Sequence, residues 1–506
     1  MKIAELLTVL ENKTVLPPDR MEREVRDIAH DSRKVKPGSL FVAVRGVHSD
    51  GHQFIPQALR QGAVAVVAEE TGAVHDADTG LVIRVPDSRA ALARIAVSFY
   101  GNPSHKLKLI GITGTKGKTT TSYLVNAILE AAGHTAGLIG TIEYRVGNKV
   151  YPAVNTTPES LDLQKLLGEM VEAGAGYCVM EVSSHALALR RSAGCKFETA
   201  VFTNLAQDHL DFHLDLESYF QAKLRLFTGL ASDAAAVVNI DDAASREIIK
   251  KTPALVHTFG ISKPADICPA GRIGHGISGL SFSVKTPKGV FAVESPLVGK
   301  HNVYNILAAI GVGVAQGFGA DVIARGIRNM KAVPGRMEKV DEGQLFGVLV
   351  DYAHTEDSLI RLLEAVREMT TGRVITLFGC GGDRDRTKRP KMGKAAAQGS
   401  DAVIITTDNP RSENPLQIIR EIESGMPAGR HYEVIPDRAE AINAAINVAQ
   451  PGDVVVLAGK GHENYQIIGE GKIPFDDREV AREAIRKINA KRGSATGKNV
   501  NAKSVF

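Results

Sequence analysis

At 506 residues, with 44% hydrophobic and 23% charged residues, the chain is long enough for several cores and, at roughly 150 residues per domain, for about three domains. A net charge of only +4 implies no general affinity for nucleic acid or for an acidic membrane surface. The four cysteines, Cys178, Cys195, Cys268 and Cys380, are scattered without Cys-x-x-Cys or Cys/His pairing, which argues against structural zinc or a disulfide framework and fits a reducing cytoplasm.

In chain order, Glu5 and Glu11 come too early for a secretory signal, and no apolar run approaches the roughly 18 residues needed to span a bilayer. A first unit, residues 1–106, carries short strands at Ser39–Val44 and Ala63–Ala68 with a helical pattern at Phe54–Arg60 between them, and is punctuated by Asn102-Pro103-Ser104. A second unit, residues 107–333, opens with the apolar run Leu107–Ile112, a glycine-rich turn and a helix Lys118–Ala132 stopped by Gly133. Buried strands follow at Tyr177–Val182, Thr199–Asn204 and Ala234–Ile240, and Pro334-Gly335 marks the exit. The third unit, residues 334–490, alternates strands at Gly347–Asp351, Val374–Phe378, Ala402–Thr406 and Asp453–Ala458 with helices at Ser358–Met369, Pro415–Glu423 and Arg438–Ala449. The fold class is therefore α/β, with a central parallel-sheet domain built around a phosphate loop and a Rossmann-like C-terminal domain. Residues 491–506, rich in Gly, Ser, Asn and Lys, are expected to be a disordered tail.

The turn in LKLIGITGTKGKTTTSYLV lies between a buried strand and a helix. There Gly114, Thr115, Lys116, Gly117, Lys118, Thr119 and Thr120 aim backbone N–H groups at a polyphosphate, Lys118 neutralises β/γ charge and Thr119 offers a hydroxyl to Mg²⁺. A strict Walker A loop needs Gly where this chain has Ile112, so the loop is a variant. Ordered along the chain are further motifs: Asn155-Thr156-Thr157-Pro158, Glu181-Val182-Ser183-Ser184-His185, Asp208-His209-Leu210-Asp211, Gly299-Lys300-His301-Asn302, Pro334-Gly335-Arg336-Met337-Glu338, Asp351-Tyr352-Ala353-His354 and Gly459-Lys460-Gly461-His462-Glu463. Together with the loop they resemble the Mur ligase family, which also includes folylpolyglutamate synthetases, and within it the ligases that add the third peptide residue in peptidoglycan synthesis.

The resemblance implies ATP-dependent amide-bond formation through an acyl phosphate, with ADP and phosphate released. Two anions must approach each other, so cations are required between them. In a family-like arrangement Lys118, Glu181, His209 and Lys223 are the catalytic set: Thr119 and Glu181 hold one Mg²⁺, and His209 helps hold a second. Lys223 by itself reads as a lysine on an amphipathic helix; the resemblance makes it a CO₂-derived carbamate that ligates or orients Mg²⁺. Asn302, Asn305, Arg336 and Asp351 match nucleotide-contacting positions. Ser32, with the Val47-His48-Ser49 turn, resembles a uridine-diphosphate grip, although from residues alone Ser32 reads equally as an exposed helix-cap serine. Asn155, Thr156, Thr157, Ser183 and Arg191 match contacts to a UDP-muramoyl-dipeptide. Leu189 stands where the family commonly has Gln, and Glu356 where proline is usual.

The segment DNPRSENP reads on its own as a turn with an N-cap. In the resembling family it selects the incoming amino acid, so Asp408, Asn409, Pro410 and Arg411, with Arg384, Gly459 and Glu463, are the candidate diaminopimelate contacts. The resulting expectation is a monomeric cytoplasmic ligase that adds meso-diaminopimelate to UDP-N-acetylmuramoyl-L-alanyl-D-glutamate, acts on small molecules and has no nucleic-acid or membrane partner. A lysine-adding version is the alternative, folylpolyglutamate synthesis comes third, and a non-catalytic ATP-binding regulator would be expected to have lost Lys118, Glu181, His209 or Lys223.

Overall fold

The computed structural model describes residues 1–16, 21–46, 49–69 and 81–500. Within them the chain forms two compact units, one of Met1–Cys268, Lys285–Gly289 and Tyr304–Gly326, the other of Pro269–Val284, Val290–Val303 and Ile327–Phe506. The expected α/β class is what is found. Passage into the second unit begins well before Pro334-Gly335 and is not a single crossing.

The first unit holds two sheets. The N-terminal one orders Thr14–Leu16, Leu81–Arg84, Ala65–Ala68, Ser39–Val42 and Asp27–Ala29, parallel except for the first strand. The central sheet has eight strands in the order Leu255–Phe259, Ala235–Asn239, Phe197–Phe202, Lys108–Thr113, Tyr177–Glu181, Ala136–Ile139, Glu143–Val146 and Lys149–Pro152. Its first six strands run parallel, and the last two turn back as a hairpin. Ile110, Ile112, Val179, Met180, Val201 and Phe202 are fully buried, as expected of strands covered on both faces by helices. The parallel strands therefore deliver their carboxyl ends to one edge, where open α/β sheets collect ligands.

The second unit repeats this logic. Its six-stranded sheet orders Glu338–Lys339, Gly347–Asp351, Val454–Ala458, Val374–Phe378, Ala402–Ile405 and Tyr432–Val434. All but the first strand are parallel. The last parallel strand in sequence, Val454–Ala458, inserts between Gly347–Asp351 and Val374–Phe378, which creates a topological switch point. Helices Glu356–Arg367, Lys388–Gly399, Pro415–Glu423 and Arg438–Val448 cover its faces. A buried ion pair at 2.6 Å, Arg438 with Asp477, ties the last of these to the C-terminal helix. That helix runs Asp477–Val500, so the backbone stays helical through most of the stretch expected to fray. No proline interrupts it, and its early turns are anchored by buried Ala481, Ala484 and Ile485. Among the described residues no helix is long and apolar enough to cross a membrane.

Candidate functional site

In the first unit, the strand Lys108–Thr113 ends at Gly114 and the helix Lys118–Ala131 begins immediately after Gly117. Both glycines are required. Gly114 has φ +147°, and a Cβ there would lie 1.9 Å from Thr203 Oγ1; Gly117 has φ +88°, and a Cβ would lie 2.4 Å from Asn305 Oδ1. Lys118 folds back over the loop, donating to the carbonyls of Gly114 at 2.9 Å and Thr115 at 3.0 Å. Thr119 Oγ1 donates to Glu181 Oε2 at 2.9 Å across the sheet edge.

Glu181 is fully buried at the end of its strand. Its second carboxylate oxygen accepts the Thr141 N–H at 2.8 Å, and the Thr141 hydroxyl reaches Oε2 at 3.1 Å and Thr156 Oγ1 at 3.0 Å. Thr141 was not among the expected site residues, since nothing local distinguishes it; only sheet closure brings it to Glu181. Thr157 Oγ1 donates to the Glu181 carbonyl at 2.8 Å and accepts the Ser183 N–H at 3.0 Å. Arg191 donates to the Thr157 carbonyl at 3.0 Å and pairs with Glu159 at 2.8 Å. Asn155 is exposed and held by the Tyr144 hydroxyl. The Asn-Thr-Thr-Pro and Glu-Val-Ser-Ser motifs thus form one hydrogen-bonded strip beside the phosphate loop.

Lys223 is 1% exposed on the helix Leu216–Thr228. Its ammonium donates to the Gly114 carbonyl at 2.9 Å, the same oxygen that Lys118 uses, and lies 4.2 Å from the centre of the Tyr219 ring. Burial drives its pKa well below the usual lysine range, and the Lys118 charge adds to the effect. Tyr219 in turn donates to Thr115 Oγ1 at 3.2 Å, so the lysine helix is fastened to the loop. His209 has φ 52°, a half-exposed side chain and its ring 4.8 Å from that of His185. His213 packs 5.2 Å from Tyr219, and burial lowers its pKa to about 4.

Ser32 is buried, with Oγ 3.3 Å from Gln57 Oε1. It is not the helix cap: Asp31 takes that place, accepting the Arg33 N–H at 3.0 Å. Of the adjoining expected turn, Val47 and His48 lie outside the described residues.

In the second unit, Asp351 accepts the Met337 and Ala353 N–H groups at 2.8 Å each, beside Arg336, and burial pushes its pKa up. Asn302 donates to the Val298 carbonyl at 2.7 Å. The carboxyl ends of three strands bring the Asp-Asn-Pro-Arg segment together with Arg384, Gly459 and Glu463. Gly459 has φ +113°, and a Cβ there would sit 2.7 Å from Asp408 Oδ2. Asp408 is buried, which raises its pKa. Asn409 donates to Glu463 at 2.8 Å, and Lys460, also fully buried, reaches both at 3.2 Å. Arg411 is held at φ 51° by its N–H to the Ile467 carbonyl at 3.1 Å and its carbonyl from the Gly469 N–H at 2.8 Å. Its guanidinium donates to the Gly382 carbonyl at 2.8 Å, and Arg384 donates to the neighbouring Asp383 carbonyl at 3.1 Å.

Residues 24–100 match the Mur ligase family catalytic domain, 112–313 the Mur ligase middle domain and 335–461 the Mur ligase glutamate ligase domain. The chain belongs to the Mur ligase family. It is an ATP-dependent ligase that forms amide bonds. A UDP-N-acetylmuramoyl-L-alanyl-D-glutamate--2,6-diaminopimelate ligase of Solibacter usitatus is 49% identical over 96% of this chain and 98% of that protein. One so named from Geobacillus thermodenitrificans is 50% identical over 90% and 94%. A solved structure of a ligase of that name shares 33% identity, covers 97% of this chain and 99% of its own, and superposes with a TM-score of 0.71.

Within this Mur ligase, two departures find a structural setting. Glu356 is the first residue of the helix Glu356–Arg367, directly after its N-cap Thr355. A proline or a carboxylate suits that place equally, the one through its fixed φ and the other through the helix dipole. Leu189 closes the short helix Ser184–Ala188 through its backbone N–H to the His185 carbonyl at 2.8 Å, so its local role does not use the side chain.

The residues also fit Mg²⁺. Among the described residues no three His, Cys, Asp or Glu side chains cluster as a metal site. Mg²⁺ needs no such cage, because it keeps waters and is commonly held by one or two protein ligands plus substrate phosphates. Thr119 Oγ1 and Glu181 Oε2, 2.9 Å apart at the loop, are such a pair.

Proposed function

We propose that this ligase joins meso-diaminopimelate to the D-Glu γ-carboxylate of UDP-N-acetylmuramoyl-L-alanyl-D-glutamate, as a cytoplasmic monomer in peptidoglycan precursor synthesis. Residues 1–106 grip the uridine diphosphate end through Ser32. Residues 107–333 bind ATP and the dipeptide, and residues 334–490 bind the amino acid. The phosphate loop, with Asn302, Asn305, Arg336 and Asp351, holds ATP. Thr156, Thr157, Ser183 and Arg191 orient the acceptor carboxylate, with Asn155 at the edge of that strip.

Thr119, Glu181, His209 and Lys223 as a carbamate would hold Mg²⁺, which when bound would supply the positive charge that the meeting of two anions requires. Lys118 sits at the loop to neutralise phosphoryl charge. The carboxylate oxygen attacks the γ-phosphorus, ADP leaves, and the amine then displaces phosphate from the acyl carbon.

The observation that carries the choice of amino acid is the setting of Arg411, whose backbone is held on both sides by Ile467 and Gly469 beside Arg384 and Glu463 of the same unit. Diaminopimelate and L-lysine differ mainly by one distal carboxylate, which a guanidinium matches with two parallel hydrogen bonds. With L-lysine that arginine would be left without its partner, and loss of such a pairing is worth about 2–5 kcal/mol, or roughly 30- to several-thousand-fold in specificity. The test offers the purified protein the UDP-dipeptide, ATP, Mg²⁺ and a panel of amino acids. It is expected to prefer meso-diaminopimelate and to pass oxygen-18 from the D-Glu γ-carboxylate into released phosphate. A preference for L-lysine would overturn the substrate, and label in AMP would overturn the acyl phosphate.

A further inference from the structure

The loop bearing Arg384 and the loop bearing Arg411 are joined by a set of contacts that the reaction itself does not call for. Gly382 N–H donates to the Asn409 carbonyl at 2.9 Å, and a Cβ on Gly382 would fall 1.8 Å from the Pro410 carbonyl. On the far side of this seam lies Arg389, completely buried on the helix Lys388–Gly399. It pairs with Glu413 at 2.8 Å and Glu421 at 2.7 Å and donates to the Gly381 carbonyl at 3.2 Å. Arg411 donates to the next carbonyl, that of Gly382, at 2.8 Å. Two arginines from different elements therefore hold the successive carbonyls of Gly381 and Gly382.

Glu413 closes the arrangement from the Arg411 side. Besides Arg389 it accepts the Asp383 N–H at 2.6 Å and pairs with Arg386 at 2.8 Å. Asp383 returns the connection by accepting the Ser412 hydroxyl at 2.6 Å and is itself at φ 53°, a conformation that needs external support in a non-glycine residue. Arg384 and Arg411, the residues next to Asp383 and Ser412, have their backbones set by this clasp.

We propose that Arg389 and Glu413 are positioning residues for amino-acid selection: their ion pair fixes the register of the Gly381–Arg384 loop against the Arg411 loop, and with it the spacing of the two guanidinium groups that face the amino acid. The proposal rests on the reading of Arg411 and Arg384 as amino-acid contacts. A bidentate partner must be placed to within a fraction of an ångström for both hydrogen bonds to form, so a loosened clasp costs discrimination before it costs chemistry.

Glu413→Gln keeps the size of the side chain and an acceptor for the Asp383 N–H but removes the charge paired with Arg389, while Glu421 remains to neutralise that arginine. Arg389→Lys keeps the charge but not the planar fork. In the full-length protein, Glu413→Gln is expected to raise KM for diaminopimelate about tenfold or more, with KM for ATP and for the UDP-dipeptide within about twofold, and to narrow the preference over L-lysine. Arg389→Lys is expected to fall between it and the wild type, and it carries the test should Glu413→Gln not fold. In an Arg411→Ala background Glu413→Gln should add little further loss of preference, because the two act on one contact.

A folded Glu413→Gln whose melting temperature falls while KM and preference stay those of the wild type would reduce the clasp to a scaffold and overturn the proposal. If instead Arg411→Ala itself keeps the full preference, the reading of Arg411 fails, a result distinct from failure of the clasp.

Discussion

Lys223, which is buried, and Lys118 present two ammonium groups to one carbonyl, that of Gly114. Burial and the neighbouring charge favour the neutral amine, and a neutral amine is the form that attacks CO₂. In the proposed carbamylation the nitrogen–carbon bond would form, a proton would leave to solvent, and a carbamate anion would replace the cation beside Lys118. From sequence the lysine is indistinguishable from any other on an amphipathic helix, because Gly114, which gives it its environment, lies far away in the chain. Lys223→Ala is expected to stay folded, since Lys118 still satisfies the Gly114 carbonyl and Tyr219 still ties the helix to Thr115. It is expected to lose activity by about a hundredfold or more, with partial rescue by short carboxylates. Carbon-13 bicarbonate should give the wild type, and not the variant, one carbamate resonance. An active variant, or a wild type without that resonance at full activity, would remove Lys223 from the mechanism.

At the scale of elements, the helix Glu356–Arg367 shows how a departure from family pattern is absorbed. Thr355 is an N-cap with φ −126° and ψ 159°, its hydroxyl accepting the Ser358 N–H at 3.3 Å, and Ser358 completes a capping box. Extended geometry is what a residue preceding proline must adopt, so the backbone already suits proline at 356. Glu356→Pro should change unfolding free energy by less than about 1 kcal/mol, whereas Thr355→Ala should cost about 1 kcal/mol through the lost cap. Denaturant midpoints compare the two; a large loss for Glu356→Pro would mean that Glu356 does more than begin the helix.

Legibility follows the same physics. The parallel strands at Tyr177–Glu181, Gly347–Asp351 and Val374–Phe378 were readable to within a residue or so because strands covered on both faces are continuous apolar runs. Hairpins such as Glu143–Val146 with Lys149–Pro152 were missed, since a half-exposed strand is short and mixed in polarity. Their one clear signal is the Gly147-Asn148 turn, where Gly147 takes φ +56°. The phosphate loop was legible because its glycines are obligatory. Thr141, Arg389 and Glu413 were not, because their roles exist only after distant strands close.

At the scale of the whole chain, the sequence suggests a clean cut at Pro334, yet the second unit is assembled from three separate stretches. Its core cluster contains Val298 together with Met337, Leu349, Leu359 and Phe378, and partly buried Ile277 packs against it. A Cβ on Gly347 would lie 2.5 Å from Ile277 Cδ1, so the start of the strand Gly347–Asp351 is shaped to receive that side chain. Pro269–Val284 and Val290–Val303 are therefore part of the same folding unit as the six-stranded sheet, although they precede it in sequence. A fragment of residues 334–490 would retain every strand of that sheet and lose Ile277 and Val298 from its core. Fully burying an aliphatic side chain stabilises by about 1.5–3 kcal/mol, so losing buried Val298 and, in lesser part, half-buried Ile277 removes a sizeable share of the roughly 5–15 kcal/mol by which a domain is stable. The fragment is expected to keep helical far-ultraviolet circular dichroism, to bind a hydrophobic dye, and to melt broadly and well below a fragment of residues 269–490. Sharp, dye-silent unfolding of the shorter fragment at the same temperature as the longer one would show that the sheet needs neither preceding stretch, and that Pro334 is the true boundary after all.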